Sequence, residues 1–326
     1  MANSPKLKNS SFLVVGRAGM DLYACPRATK IQNSRLFSAQ LGGSAGNIAV
    51  GLAKQNKNVS ILAGISDDAI GTFTSNLLNS FGVKTNLLVR IKNKRNTLAI
   101  VDTRGEDTQA VIYRDSAADL FISNKITDSL NIETFSTIIT TGTALTNQPS
   151  RDAVLSLMKK GKAQNKNVIF DIDYRAHTWD SNTEAFEVLK KAGEIATTIV
   201  GNETEFEFMA GHKDGLNHAE KLHKSGTETV IYKMGSKGSI LFTKNVKANF
   251  GVFKVKALKP TGAGDAFLAG YCASLAKSND INMAILNGSA TAAIVVSQVG
   301  CSESLPDTKQ LEKFINKNNS KKILKD

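Results

Sequence analysis

Residues 261–265 read Thr-Gly-Ala-Gly-Asp and open a segment in which Phe267, Tyr271 and Leu275 recur at helical spacing. Gly262, Ala263 and Gly264 therefore fall at a helix N-terminus, where amides lack a partner within the helix and carry the positive end of its dipole. Glycine there lets the bare backbone approach an oxygen anion closely. Asp265 is out of place beside a phosphate unless it accepts a proton from an incoming nucleophile. The combination points to phosphoryl transfer onto a hydroxyl. Read alone, the same residues could form an ordinary turn with Asp265 as a first-turn acid. Spacing excludes two other phosphate motifs: G-x-G-x-x-G would need glycine at Phe267, and no G-x-x-x-x-G-K-[ST] loop occurs. A carboxylate pKa of about 4 keeps such a base ionised at neutral pH without any large shift.

The elements that must position this turn are legible in the chain. Apolar runs at Phe12 to Gly16, Val59 to Gly64, Thr137 to Gly142, Val168 to Asp173, Thr198 to Asn202, Thr229 to Met234 and Ser239 to Thr243 mostly alternate with helical stretches. Short, nearly continuous apolar strands imply burial on both faces, hence a mainly parallel sheet between helices, with ligands at the strand carboxyl ends. Phe253, Val255 and Ala257 alternate with Lys254 and Lys256 and predict one more strand, leading into the glycine turn. Residues 21–40 and 97–120 break the rhythm and read as extra strands outside the main sheet. They would make either a small lid that excludes water from a reactive phosphoryl group or a pair of plain hairpins.

The 326 residues suffice for one large α/β domain or two smaller ones, with no internal repeat or low-complexity linker. An excess of 41 Lys plus Arg over 29 Asp plus Glu gives a net charge of +12, which favours anionic partners. The lysines are scattered apart from a tail group at 317, 321, 322 and 325, and no basic stripe with interleaved aromatics occurs, so small anions fit better than nucleic acid. Cys25, Cys272 and Cys301 form no C-x-x-C, and the four histidines, His212 among them, form no H-E-x-x-H. No metal cage is visible, and a reducing cytoplasm fits. Residues 1–10 lack an apolar signal core and no run is long enough for a membrane span.

A second glycine turn, Gly42-Gly43-Ser44-Ala45-Gly46-Asn47, opens another helical stretch well upstream of the first. The pair resembles the ribokinase-type (PfkB) carbohydrate kinase family, and the match spans almost the whole chain. That resemblance implies a ribokinase-like α/β fold with a small β lid, drawn here from one domain over 1–326. It also implies ATP and Mg2+, leaves a monovalent cation open, and allows a homodimer paired through the lids. Residue by residue, it implies that Asp21, Gly42, Gly43 and Asn47 contact sugar hydroxyls, Gly262 to Gly264 hold developing negative charge and Asp265 takes the hydroxyl proton. Asn202-Glu-Thr-Glu205 fits the family's Asn-x-x-Glu motif, which holds magnesium and phosphates largely through water. Lys233-Met-Gly235-Ser-Lys-Gly238 resembles its hairpin near the nucleotide, which Thr261 also adjoins. Each feature has a plain alternative: a turn residue at Asp21, a helix-start polar group at Asn47, a capping pair at Asn202 and Glu205.

Finer segments, Gly16-Arg-Ala-Gly-Met-Asp-Leu-Tyr, Ile112-Tyr-Arg-Asp-Ser-Ala-Ala-Asp and Phe170-Asp-Ile-Asp-Tyr-Arg, resemble the branch of that family acting on 5-dehydro-2-deoxygluconate in inositol catabolism. The expected partners are therefore a small-molecule sugar acid and ATP. Branches acting on 2-dehydro-3-deoxygluconate, fructose or ribose are the alternatives, and an inactive carbohydrate-binding sensor is the alternative of another class. Lys259-Pro260 stands where an acid is commoner in the family, which makes the site more receptive to negative charge. Arginine pairs bidentately with a carboxylate. Arg17, Arg35, Arg104, Arg114 and Arg175 are candidates, with Arg114 and Arg175 foremost and surface ion pairs with Asp115 or Asp173 as their alternative. Trp179 reads as packing material.

Overall fold

In the computed structural model, which describes residues 11–104, 108–211, 213–244, 246–258 and 261–318, the apolar runs are strands because both of their faces are covered. Phe12 and Val14 pack into one core cluster with Ile48, Leu52, Leu268 and Tyr271, whereas Leu13 and Val15 pack into another with Leu145, Met158 and Leu189. Successive strand residues point to opposite faces, so a strand between two helical layers has no polar side.

The strands in chain order are β1 (Ser11–Val15), β2 (Gly19–Cys25), β3 (Leu36–Gly42), β4 (Asn58–Ser66), β5 (Leu88–Ile91), β6 (Leu98–Val101), β7 (Ala110–Tyr113), β8 (Thr137–Thr141), β9 (Asn167–Asp171), β10 (Thr198–Asn202), β11 (Thr229–Lys233), β12 (Ser239–Thr243) and β13 (Val246–Phe250). Nine of them form one sheet in the order β13-β12-β11-β10-β9-β8-β1-β4-β5. All its pairings are parallel except β11 with β12 and β12 with β13. The other four make a lid sheet in the order β3-β2-β6-β7, built from the two intervals that broke the βαβ rhythm.

One expected strand is absent. Residues 253–257 join no ladder, and β13 lies just upstream. The alternation is real at its start, since Phe253 is buried against Leu286 and Ile294 and Val255 is half-buried while Lys254 and Lys256 are exposed, but Ala257 is exposed as well. Alternating burial therefore marked a segment lying on the surface of a helix layer, not a hydrogen-bonded strand. Lys259-Pro260, residues 105–107, His212, the first ten residues and the tail lysines 321, 322 and 325 lie outside the described residues. Among the described residues no helix is long and apolar enough to cross a membrane.

Candidate active site

Gly262 caps the Ala263–Ser278 helix in the left-handed region, with φ 80°, and Gly43 caps the Ser44–Lys54 helix with φ 94°. Neither cap places a side chain on the first-turn amides. Both turns therefore present backbone N–H groups to whatever lies beyond them, apart from the Gly46 amide, which donates to the Arg17 carbonyl at 3.1 Å. Close approach also demands glycine: a Cβ at Gly262 would stand 2.6 Å from Cys301 Sγ, one at Gly43 2.5 Å from the Arg17 carbonyl oxygen, and one at Gly42 would overlap the Asp21 carboxylate.

The two turns meet. Asn47 Nδ2 donates to Asp265 Oδ2 at 2.7 Å across 218 residues of sequence, and Ser302 Oγ donates to Asn47 Oδ1 at 2.7 Å. The amide expected to touch sugar is thus also the group that aims Asp265, with its second N–H left for a ligand. Asp21, on β2 of the lid, is buried on Gly42, and the Tyr23 hydroxyl lies 3.3 Å from its Oδ2 and 3.4 Å from Cys301 Sγ. Cys301 Sγ in turn reaches the Thr261 carbonyl oxygen at 3.7 Å. A buried chain of contacts so links the lid's acid to the glycine turn.

Around Asp265 the carboxyl ends of β9, β10 and β11 bring together more charge than the sequence suggested. Lys233 ends β11 with Nζ 3.6 Å from Asp171 Oδ1 at the end of β9, and a Cβ on Gly264 would be 3.3 Å from that same Nζ. Lys233 therefore stands against the glycine turn itself, so the hairpin residue expected near nucleotide lies where phosphate charge would be held. Asp173 accepts from Ser44 Oγ at 2.7 Å and Thr143 Oγ1 at 3.2 Å, and pairs with Arg175 at 3.0 Å. Asp171, Ser44, Thr143, Tyr23 and Cys301 were not singled out from sequence. The usable signal was position alone, since Asp171 closes a parallel strand at the edge where ligands bind.

Burial, reinforced by the neighbouring Asp173, pushes Asp265 up to about 7, against the opposing pull of the Asn47 hydrogen bond. The expectation of an ordinary carboxylate is thereby corrected. Burial also pushes Glu205 up to about 7, opposed by Lys233 and reinforced by Asp171 and Asp173. Lys233 is raised despite its burial, because Asp171, Glu205 and Asp265 surround it, and it stays charged.

Asn202 and Glu205 do form the capping box that their spacing allowed: Asn202 Oδ1 accepts from the Glu205 amide at 3.0 Å and Glu205 Oε2 from the Asn202 amide at 2.7 Å. Glu205 is buried nonetheless, which a cap alone does not require. Among the described residues no three His, Cys, Asp or Glu side chains are grouped to hold a metal directly. The oxygen donors of Asn202 and Glu205, beside a surplus of carboxylates, fit a hard divalent cation that keeps its waters. Gly235 and Gly238 both have positive φ, 55° and 106°, and flank the turn after Lys233. A Cβ at Gly238 would overlap the Phe250 carbonyl, so that glycine serves the hairpin, whereas Gly235 faces open space.

Both foremost arginines have carboxylate partners within the protein. Arg114 pairs not with Asp115 but with buried Asp119, through Nε at 2.9 Å and Nη2 at 2.6 Å, and also donates to the Thr143 carbonyl and Thr146 Oγ1. Four of its five N–H donors are engaged within the protein. Arg175 makes the ion pair with Asp173 that was its alternative, with a half-exposed side chain beside the acid cluster. Trp179 packs in the core under Arg151, as its sequence context suggested.

Comparison with known proteins finds relatives along nearly the whole chain. A family model described as pfkB family carbohydrate kinase matches residues 9–308. The 5-dehydro-2-deoxygluconokinase of Photobacterium profundum is 32% identical over 310 residues, covering 93% of this chain and 94% of its own. The protein of the same name from Bacillus subtilis is 31% identical over 313 residues, covering 94% and 96%. Among solved structures, a fructokinase with bound ATP from Xylella fastidiosa superposes with a TM-score of 0.83 at 20% identity, covering 94% of this chain and 98% of that one. A Vibrio cholerae O395 fructokinase double mutant bound to fructose, ADP and potassium ion gives 0.81 at 23% identity, covering 94% and 98%.

Proposed function

The chain belongs to the pfkB family of carbohydrate kinases, an ATP-dependent enzyme with the ribokinase-like fold, and on that premise we propose that it phosphorylates the terminal hydroxyl of 5-dehydro-2-deoxygluconate. The observation that carries the mechanism is the Asn47–Asp265 hydrogen bond, which joins the sugar turn to the anion turn at one carboxylate. ATP lies along the carboxyl edge of the sheet, and the sugar lies between that edge and Asp21 of the lid. As the terminal oxygen bonds to the γ-phosphorus and the bond to ADP breaks, Asp265 takes the hydroxyl proton. The first amides of the Ala263–Ser278 helix and the Lys233 ammonium meet charge on the phosphoryl oxygens. A base poised near neutrality matches the pKa imposed by its burial. Magnesium carried with the nucleotide would be met through water by Asn202 and Glu205 and would neutralise phosphate charge.

The sugar-acid substrate is supported by the names of the relatives, 30–32% identical along nearly their whole length, and by the net charge of +12. Purified protein with ATP should make ADP fastest with 5-dehydro-2-deoxygluconate when that acid is compared with 2-dehydro-3-deoxygluconate, fructose and ribose. A clear preference for either neutral sugar overturns the substrate. The potassium ion in the fructokinase relative supports testing potassium against sodium in the same assay. Exposed Leu36 and Phe37 on β3 and Val111 and Tyr113 on β7 put apolar surface on both edges of the lid, which supports a second copy of the chain there. Sedimentation as a dimer that Leu36→Asp converts to a monomer is the expected outcome.

A further inference from the structure

An acceptor carboxylate needs a cationic side chain that the folded protein has left unsatisfied. Arg104 is held by Asp102, Arg114 by Asp119 and Arg175 by Asp173, each by an ion pair of 3.0 Å or less. Arg35 is exposed on the outer part of the lid. Arg17 differs from all four: its Nη1 is buried without a hydrogen-bond partner, and among the described residues no carboxylate pairs with it. A buried guanidinium nitrogen with nothing to donate to is uncommon, and in a binding cleft it marks a missing acceptor.

The backbone of Arg17 lies at the sugar turn. It follows β1 at the ligand-binding edge of the sheet, and its carbonyl accepts from the Gly46 amide at 3.1 Å and closes on Gly43. Gly16 beside it packs on Ala45 and Ala144, and Ala18 packs on Gly46. A second orphan lies on the neighbouring lid strand: Gln40 Oε1 is buried without a donor, and Gln40 is the register partner of Asp21, so the two side chains share a face of the lid. One orphan lacks an acceptor and the other lacks a donor. A hydroxylated carboxylic acid supplies both.

We propose that Arg17 binds the carboxylate of the acceptor sugar and sets the preference for an acid over a neutral sugar, with Gln40 accepting from a neighbouring hydroxyl. The inference rests on the sugar-acid reading given above. It leaves Asp265 free to serve the terminal hydroxyl at the other end of an open-chain acid, and leaves Arg114 as the residue that anchors Asp119.

The test compares the acid with the same sugar carrying an alcohol at C1, using kcat/KM for each with saturating ATP. Wild-type protein should favour the acid. Arg17→Gln should reduce that preference on the order of tenfold to a hundredfold, through KM for the acid, with the alcohol little affected. Arg17→Lys should recover only part of it, because an ammonium keeps the charge and loses the planar fork. The ratio is taken within one preparation, so partial misfolding lowers both substrates and leaves it unchanged. An unaltered preference in Arg17→Gln overturns the role of Arg17 and leaves the sugar-acid reading standing. Indifference of the wild-type protein to the carboxylate overturns both.

Discussion

Replacing Asn47 by alanine tests whether the two glycine turns act as one catalytic unit. The change removes the 2.7 Å hydrogen bond to Asp265 and leaves the rest of the acid cluster in place. A hydrogen bond to a charged acceptor is worth about 1.5–3 kcal/mol, and one pKa unit corresponds to about 1.4 kcal/mol. Loss of the bond favours the protonated carboxyl, so a base near 7 in wild type should move up by roughly one to two units. At pH 7 the ionised fraction then falls from about a half to between about a tenth and a hundredth, and kcat/KM falls with it by roughly fivefold to fiftyfold. The loss should shrink towards pH 9. The measurement is kcat/KM for the sugar from pH 6 to 9.5 with saturating ATP and magnesium, in wild type and Asn47→Ala. Ser302→Ala, which frees the Asn47 carbonyl while keeping its amide, should shift the acidic limb less. An acidic limb at its wild-type midpoint with activity uniformly reduced would refute the reasoning, because Asn47 would then act on the sugar and not on the base.

Four other outcomes follow from the same geometry. Asp265→Asn keeps the shape and removes the proton acceptor, so kcat should fall on the order of a hundredfold or more while nucleotide binding by calorimetry is retained; near-normal turnover rejects the base. Lys233→Met strips a buried cation from beside Asp171, and leaving that charge unpaired should cost about 3–5 kcal/mol of unfolding free energy in addition to most of the turnover. Adding Asp171→Asn should restore stability without restoring rate, and urea melts of the single and double variants decide the point. Gly42→Ala should raise KM for the sugar far more than KM for ATP, because the new methyl overlaps the Asp21 carboxylate; equal effects on both substrates would place Asp21 elsewhere in the reaction. Asp265 and Glu205 bind protons more tightly when folded than when unfolded, so their contribution to stability is lost as pH rises through about 7. The melting temperature of wild type should accordingly drop relative to Asp265→Asn between pH 5.5 and 8, and a constant difference between the two contradicts the raised pKa.

The central sheet was readable because its strands are buried on both faces and so write themselves as apolar runs: Val168 to Asp173 in sequence became β9, Asn167–Asp171. The half-exposed edge strands β5 and β13 gave no such run and were missed, and at 253–257 alternation without a neighbour was mistaken for a ladder. In the site, local chemistry was legible and long-range pairing was not. Glycines before a helical period fix where free amides must lie, and Asn-x-x-Glu fixes a capping box, because each depends on neighbours in sequence. That Asn47 would meet Asp265, or that Arg114 would turn to Asp119 and not to adjacent Asp115, depends on how the layers close over one another. Periodicity carries no record of that closure.

The charge of the cluster bears on how the proposed phosphate site would tolerate so many acids. Asp171, Asp173, Glu205 and Asp265 would carry four negative charges against two positive charges on Lys233 and Arg175, a formal surplus of two. A nucleotide brought against that surplus would be repelled, yet the free protein does not carry all of it, because burial and mutual repulsion hold Asp265 and Glu205 half-protonated near pH 7. Lys233 stands against Gly264 and among Asp171, Glu205 and Asp265, whereas the helix amides lie at the glycine turn and Glu205 at the start of the Glu203–Ala210 helix. Phosphate oxygens can therefore meet donors while a hydrated divalent cation meets Glu205. Mutating Glu205 to glutamine should on this argument weaken the dependence of turnover on magnesium concentration more than it weakens sugar binding, since the substitution removes a charge and keeps the capping geometry. Unchanged magnesium dependence in Glu205→Gln, with the sugar KM raised instead, would assign the residue to the acceptor side and leave the surplus charge without a counterion.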